Sequence, residues 1–209
     1  MQKVIALVFV ICFLGQSIFL LASYFDCFER EKLYSAGLDA YLKEDYHSAV
    51  NLYTKALREN RFTGKKDELY AKTECCLGET YYAVRLYNKA EPLIRDAMLI
   101  QLGLKGNLDH NTVWYRSSLV NCLDAQHRYA AADLLLEEEV SIRRTLDPKG
   151  PGTAFRLCAM GGRYLTHRRF AKAAKLFEEA LAFGCVREKR ELSKSIQDHL
   201  SYCRSASQM

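Results

Sequence analysis

LGETYYAVRLYNKAEPLIRDA, residues 77–97, carries the clearest structural signal in the chain. Gly78 and Tyr81 lie in one run of helical spacing, and Ala90 and Ala97 continue that spacing after a short break. The small residues Gly78 and Ala90 let two helix axes approach closely, while the tyrosine side chain fills the space beside them. This arrangement is typical of two amphipathic helices in antiparallel contact.

The same arrangement recurs along the chain. Alanine occupies one frame position at Ala49, Ala90, Ala132 and Ala173, which gives periods of 41, 42 and 41 residues. An internal repeat of this regularity indicates a stack of similar units. The residues that define the repeat by their size and spacing are Gly37, Ala49, Tyr53, Ala56, Gly78, Tyr81, Ala90, Ala97, Leu123, Ala132, Gly161, Tyr164, Ala173, Phe177 and Ala180.

These residues resemble the tetratricopeptide repeat, in which Leu-Gly-x-x-Tyr on a first helix precedes small, aromatic and alanine positions on a second. Leu77, Gly78 and Tyr81 match the first part, and the match extends over about residues 30–183. The period exceeds the usual repeat of about 34 residues, and it is similar to that of the longer, kinesin-light-chain-like variety. The resemblance implies an all-α fold, a right-handed solenoid of four helical hairpins.

The repeats and their flanking segments divide the chain. We predict hairpins at residues 29–63, 64–108, 109–150 and 151–184, after a membrane anchor or signal peptide at 1–28 and before a capping helix and tail at 185–209. The last helix carries its apolar side chains on one side, at Leu192, Ile196, Leu200 and Tyr202. A one-sided helix of this kind closes the exposed end of a repeat stack.

An uncharged apolar segment occupies residues 4–25, between Lys3 and Asp26. As a helix it would be about 33 Å long, enough for a hydrocarbon core of about 30 Å. We interpret it as a retained single-pass anchor, because Leu20 and Leu21 stand where a signal-peptidase site needs a small residue. Since only three residues precede it, we expect the repeats outside the cytoplasm. A cleaved signal, which would give a secreted or periplasmic protein, and a buried soluble helix are the alternatives.

Charge is unevenly distributed along the chain. Residues 26–139 contain fifteen Lys and Arg against nineteen Asp and Glu, whereas residues 140–209 contain fourteen against six. The predicted basic surface consists of Arg156, Arg163, Arg168, Arg169, Lys172, Lys175, Arg187, Lys189 and Arg190. Such a surface is usually a solvated face, but it also fits electrostatic docking onto anionic lipid or an acidic polymer. Nucleic acid is not expected, because aromatic residues are not interleaved with the basic ones.

The resemblance also implies a binding surface, because the first helices of stacked repeats line a concave groove. The groove residues that it implies are Tyr34, Leu38, Tyr41, Lys72, Cys75, Glu79, Tyr82, Trp114, Ser117, Asn121, Asp124, Phe155, Cys158 and Gly162. The aromatic residues among them resemble the anchors that dominate peptide recognition. The alternative is that they pack against the neighbouring repeat. The expected partner is therefore a protein or a peptide.

The sequence contains no pattern that indicates catalysis or metal binding. It has no Gly-rich phosphate loop, no nucleophile motif, no CxxC and no Cys/His set with zinc spacing. We therefore expect a scaffold that is not an enzyme and has no metal or cofactor. Most of the eight cysteines are interpreted as small apolar core residues. A Cys185–Cys203 disulfide across the last helix is the alternative for that pair.

Overall fold

The structure is a computed structural model that describes residues 24–60 and 64–206. These residues form α-helices joined by short turns, and they contain no strand, so the prediction of an all-α fold is confirmed. The predicted membrane segment, residues 4–25, lies outside the described residues except for its last two. No helix in the described part of the chain combines the length and hydropathy needed to cross a bilayer.

The described helices follow one another with short connections. In chain order they are α1 (residues 24–42), α2 (Tyr46–Arg58), α3 (Glu68–Ala83), α4 (Tyr87–Lys105), α5 (His110–Ala125), α6 (Tyr129–Leu146), α7 (Pro151–Thr166), α8 (Phe170–Leu181), α9 (Gly184–Arg187) and α10 (Arg190–Ala206). The single-turn helix α9 is not indicated by the sequence pattern. The residues up to Ala132 form one compact unit and those from Asp133 form a second, and each is described by itself.

The turns inside the four hairpins share one backbone geometry. Each turn contains a residue other than glycine in the left-handed region, with φ between 56° and 62°, namely Glu44, Arg85, His127 and Arg168. The residue after it donates a hydrogen bond to a carbonyl five positions earlier, as Leu86 does to Tyr81 at 2.8 Å. This is the hydrogen-bond pattern of a helix-ending Schellman turn. The spacing of the four turns is again 41, 42 and 41 residues, so the sequence repeat is also a repeat in backbone structure.

Small residues lie where the two helices of a hairpin approach each other. Ala49, Ala90, Ala132 and Ala173 are fully buried. A Cβ atom added at Gly78 would lie 2.5 Å from Cγ1 of Ile94, and one added at Gly161 would lie 2.7 Å from Cε1 of Phe177. Both distances are shorter than carbon atoms tolerate, so only glycine allows these helix pairs to pack at the observed separation.

An ion pair between a buried arginine and a half-buried aspartate connects α1 to the cap of α3. Arg30 is 3% exposed, and its guanidinium donates two hydrogen bonds of 2.7 and 3.0 Å to the Asp67 carboxylate. Asp67 also accepts the backbone N–H of Tyr70 at 2.8 Å, which caps α3. Burial opposes ionisation of Asp67, but the hydrogen bonds from Arg30 and Tyr70 outweigh it and hold the pKa of Asp67 below its usual value.

The described cysteines are all free thiols, including Cys185 and Cys203, so the alternative of a disulfide between these two is wrong for this structure. Cys185 lies in α9, and Cys203 lies in the last turn of α10. Four of the described cysteines are buried: Cys75, Cys76, Cys122 and Cys203. Burial raises the pKa of the Cys75 thiol well above its usual value, which keeps it protonated. These thiols therefore behave as small apolar core groups.

Candidate functional site

Four of the predicted groove residues meet at one cavity in the first unit. The cavity has a volume of about 170 Å³ and is lined by Tyr41, Glu79, Tyr82, Ile94, Ser118 and Asn121. We call it the Glu79 cavity. Tyr41 comes from α1, Glu79 and Tyr82 from α3, and Asn121 from α5, so the first helices of three successive hairpins contribute to it.

Glu79 provides the charged group of this cavity. Its Oε1 accepts a hydrogen bond of 3.0 Å from Nε1 of Trp114 and one of 2.5 Å from Oγ of Ser118. Burial raises the pKa of Glu79, and the hydrogen bonds from Ser118 and Trp114 offset this only in part. Within the described residues, no lysine or arginine forms an ion pair with Glu79. The cavity therefore contains a carboxylate that is held in position but lacks a cationic partner.

Two tyrosines of the cavity are held by tyrosines at the start of the next helix. The ring centroids of Tyr41 and Tyr46 are 5.7 Å apart, and those of Tyr82 and Tyr87 are 5.5 Å apart. Tyr82 is 37% exposed, whereas Tyr41 is half-buried. Ring pairs at these distances are favourable and restrict rotation of the side chains. Both tyrosine side chains therefore line the cavity with restricted rotation.

Other predicted groove residues of the first unit belong partly to the core. Tyr34, Tyr41 and Trp114 pack against a buried cluster of Ala49, Tyr53, Cys76 and Leu77. Lys72 lies 6.0 Å from the ring centroid of Tyr34, within the range of a cation–π contact. Leu38 is 36% exposed and Asp124 is half-buried, and neither lines the Glu79 cavity.

Phe155 lies in the second unit. It is 73% exposed and lines a cavity of about 420 Å³. The cavity is bounded by Pro151, Ala154, Phe155, Cys158, Ala159, Cys185, Val186, Lys189 and Leu192. Its walls come from α7, α9 and α10, and they are mostly apolar.

Several residues of the predicted basic surface are bound to carboxylates within the second unit. Arg163 and Arg169 both donate to the carboxylate of Asp133, which is 4% exposed. Nε of Arg156 lies 2.9 Å from Oε1 of Glu139, a fully buried residue. Each of these arginines thus pairs with an acidic residue of α6. Asp133 is shared by two arginines, and Glu139 is shared by Arg156 and Arg143, so the pairing reduces the positive charge available to a partner without cancelling it.

The remaining basic residues differ in their surroundings. Lys172 lies 3.1 Å from Oε1 of Glu137, and Arg187 donates to two backbone carbonyls at the end of α8. Of the predicted basic residues, those that are exposed and make no such contact in the described structure are Arg168, Lys175, Lys189 and Arg190. The predicted basic surface therefore consists of a paired set of cations and a smaller solvated set.

Reasoning from sequence missed two residues of the Glu79 cavity, Ser118 and Ile94. Ser118 lies 39 residues from Glu79, and Ile94 is on a second helix, which the groove prediction did not include. The recurrence of first-helix positions gives no signal for Ser118, because its counterpart 42 residues earlier is Cys76, a buried core residue. Across the described chain, no group of histidine, cysteine and carboxylate side chains has the arrangement of a metal site.

Comparisons with known proteins agree with this geometry at the level of the fold. No protein-family model and no curated protein matches the sequence. Among solved structures, the chain is similar to nearly identical TPR-like repeats of a kinesin light chain from Podosopora anserina, with 17% identity and a TM-score of 0.64. That match covers 85% of this chain and 86% of the other.

A second similar structure is BtubC, also called BKLC, from P. vanneervenii. It has 16% identity and a TM-score of 0.61, and the match covers 85% of this chain and 80% of BtubC. Because the sequence identities are low, these likenesses establish the fold alone. The chain thus has the fold of kinesin-light-chain-like tetratricopeptide repeats, as its sequence predicts.

Proposed function

We propose that this protein is a membrane-anchored, non-catalytic scaffold that binds a protein or peptide partner through the first helices of its repeats. The observation that carries the proposal is the Glu79 cavity, where side chains from α1, α3 and α5 converge. Tyr82 and Asn121 are exposed at this cavity, so a partner chain can reach it from solvent.

The size of the cavity favours a peptide over a small molecule. Sites for drug-sized ligands usually have volumes of about 300–1,000 Å³. At about 170 Å³ the Glu79 cavity is smaller than that range, and it fits one side chain of a longer partner. The side chains around it are already held by hydrogen bonds and ring contacts, so binding costs little of their conformational freedom.

The membrane part of the proposal rests on the sequence of residues 4–25, which contain no charged residue. We propose that this segment is retained as a single-pass anchor with the repeats outside the cytoplasm. Extraction of membranes at alkaline pH tests the anchor. The full chain should stay in the pellet, and a chain lacking residues 1–25 should be released. Release of the full chain would favour a cleaved signal and a secreted or periplasmic protein.

A second candidate function is electrostatic docking to anionic lipid or an acidic polymer. Arg168, Lys175, Lys189 and Arg190 are exposed in the second unit and could provide it. We place this candidate second, because the positive charge of the arginines that pair with Asp133 and Glu139 is already partly balanced within the protein.

Affinity capture from solubilised membranes at rising salt separates the two candidates. Raising the salt from about 0.1 to 1 M shortens the Debye length from about 10 to 3 Å, which weakens contacts between exposed charges. Groove binding should persist at high salt and should be lost with Tyr82→Ala and with Trp114→Ala. Tyr202→Ala is the matched control, because Tyr202 is an exposed tyrosine of α10. Loss of the partner with salt in every variant would support the basic surface instead.

A further inference from the structure

We infer that the Glu79 cavity binds a basic side chain, lysine or arginine, of the partner. This inference rests on the proposed function and makes it specific, because it assigns a chemical class to the residue that the partner inserts. Three features of the cavity carry the inference: its volume, its carboxylate without a cationic partner, and its two tyrosine walls.

The volume sets the size of the group. An empty protein cavity of about 150 Å³ holds one benzene molecule. The Glu79 cavity, at about 170 Å³, therefore accepts one long side chain together with its aliphatic stem. Ile94 adds an apolar patch to the lining, against which the methylene groups of lysine or arginine can pack.

Charge sets the chemical class of that group. Trp114 and Ser118 both donate to Oε1 of Glu79, and no hydrogen bond of a described residue is directed at Oε2. Burial of this carboxylate raises its pKa, so ionising it in the empty cavity is costly. A guanidinium or ammonium group would supply the missing positive charge and donate hydrogen bonds to the carboxylate.

The other lining residues suit the same occupant. Tyrosine rings within about 6 Å attract a cation through their π-electrons, and Tyr41 and Tyr82 both line the cavity. The exposed amide of Asn121 can hydrogen-bond to the backbone of the inserted residue.

Other side chains fit less well. An acidic side chain would repel Glu79, and a purely apolar one would remove water from the carboxylate without replacing its hydrogen bonds. A lysine or arginine satisfies the carboxylate and fills the apolar part of the cavity at the same time.

The inference is tested with two small probes of nearly equal shape. N-acetyl-arginine amide carries a guanidinium, and N-acetyl-citrulline amide carries a neutral urea in its place. Trp114 is the single tryptophan of the chain and donates to Glu79, so its fluorescence reports on the cavity. In a titration of the full chain in detergent, the arginine probe should bind at least about tenfold more tightly, which is the effect of one charge-assisted hydrogen bond. Equal binding of the two probes, or no binding of either, would overturn the inference.

A charge-neutral variant tests whether Glu79 is responsible for the preference for the arginine probe over the citrulline probe. Glu79→Gln keeps an oxygen that can accept from Trp114 and Ser118 but removes the charge, so it should abolish the preference for arginine over citrulline. Glu31→Gln is the matched control, because Glu31 is an exposed glutamate of α1 in the same unit, and it should leave the preference unchanged. If Glu79→Gln kept the preference for arginine, the arginine probe would be binding at another site.

Failure of this inference is distinguishable from failure of the proposed function. A random peptide library presented to the full chain tests the proposed function independently of charge. Peptides that bind and are lost with Tyr82→Ala, but show no enrichment of lysine or arginine, would support the scaffold and contradict the basic side chain. Absence of any bound peptide, together with arginine-selective binding of the small probe, would contradict the scaffold and support the site.

Discussion

Nε1 of Trp114 donates a hydrogen bond of 3.0 Å to Oε1 of Glu79, a residue 35 positions earlier in the chain. The bond joins α5 to α3, the first helices of two successive hairpins. It thereby fixes the carboxylate that the Glu79 cavity presents and the indole ring beside it. One contact thus contributes both to packing between hairpins and to the candidate binding site.

We predict that this hydrogen bond contributes measurably to stability. Trp114→Phe removes the donor and should lower the free energy of unfolding by about 1–3 kcal/mol, since a hydrogen bond to a charged group and some packing are lost. Urea denaturation of Trp114→Phe, Glu79→Gln and the double variant measures the coupling between the two side chains. Strictly additive effects of the two substitutions would show that the bond is not formed in solution.

Two adjacent glycines of α7 should respond to alanine in opposite ways. Gly161→Ala would place a methyl group 2.7 Å from the buried Phe177 ring, so we expect a loss of about 1–3 kcal/mol. Gly162→Ala meets no atom within 4 Å and should stabilise the helix by up to about 1 kcal/mol. Thermal unfolding of both variants tests the prediction. Similar effects of the two substitutions would contradict the close approach of α7 and α8.

The left-handed turn residues offer a third test. Arg85 has φ of 62°, a conformation that costs a residue other than glycine about 1–2 kcal/mol. Arg85→Gly should therefore raise the free energy of unfolding by up to about 1 kcal/mol. The gain is smaller than the relieved strain, because glycine loses more conformational entropy on folding than arginine does. The control is Val84→Gly, because Val84 has φ of −90° and should only lose stability. A loss of stability with Arg85→Gly would contradict this turn geometry.

The ion pair between Arg30 and Asp67 predicts a dependence of stability on pH. Because the pKa of Asp67 is lowered in the folded protein, its contribution is present above the ordinary aspartate pKa of about 3.9 and is lost as the pH falls through the lowered value. Asp67→Asn keeps an acceptor for the helix cap but loses the charge. It should destabilise the protein by about 1–3 kcal/mol at pH 7.

Denaturation of wild type and Asp67→Asn over pH 7 to 3 measures this contribution. The difference between them should be constant near neutral pH and should shrink below about pH 4, where Asp67 of the unfolded chain becomes protonated while folded Asp67 stays ionised down to its lowered pKa. A difference that does not change over this range would mean that the charge of Asp67 contributes nothing.

The helices could be predicted from sequence because their signals are local. Apolar spacing and small residues such as Gly78 and Gly161 depend on neighbours within one hairpin, and these signals recur four times. The left-handed residues were not predicted, because Glu44, Arg85, His127 and Arg168 differ in chemistry and share only a position in the repeat.

The contacts at the candidate site depend on residues far apart in sequence. Glu79 was expected in the groove, but its bonds to Trp114 and Ser118 span 35 and 39 residues and follow from how the hairpins pack. Likewise, the composition of the basic carboxyl-terminal third does not show that Asp133 accepts from both Arg163 and Arg169. Counting the charged residues along a sequence gives the number of cations but does not identify which of them are already paired.

Binding at the Glu79 cavity is tested by a photo-crosslinking amino acid placed at Asn121 of the full chain in membranes. A matched chain carries the same group at Lys55, an exposed residue of α2. We predict that a partner chain becomes attached at position 121 and not at position 55, and that Tyr82→Ala abolishes the attachment. Equal attachment at both positions, or attachment at 121 that Tyr82→Ala leaves unchanged, would contradict partner binding at this cavity.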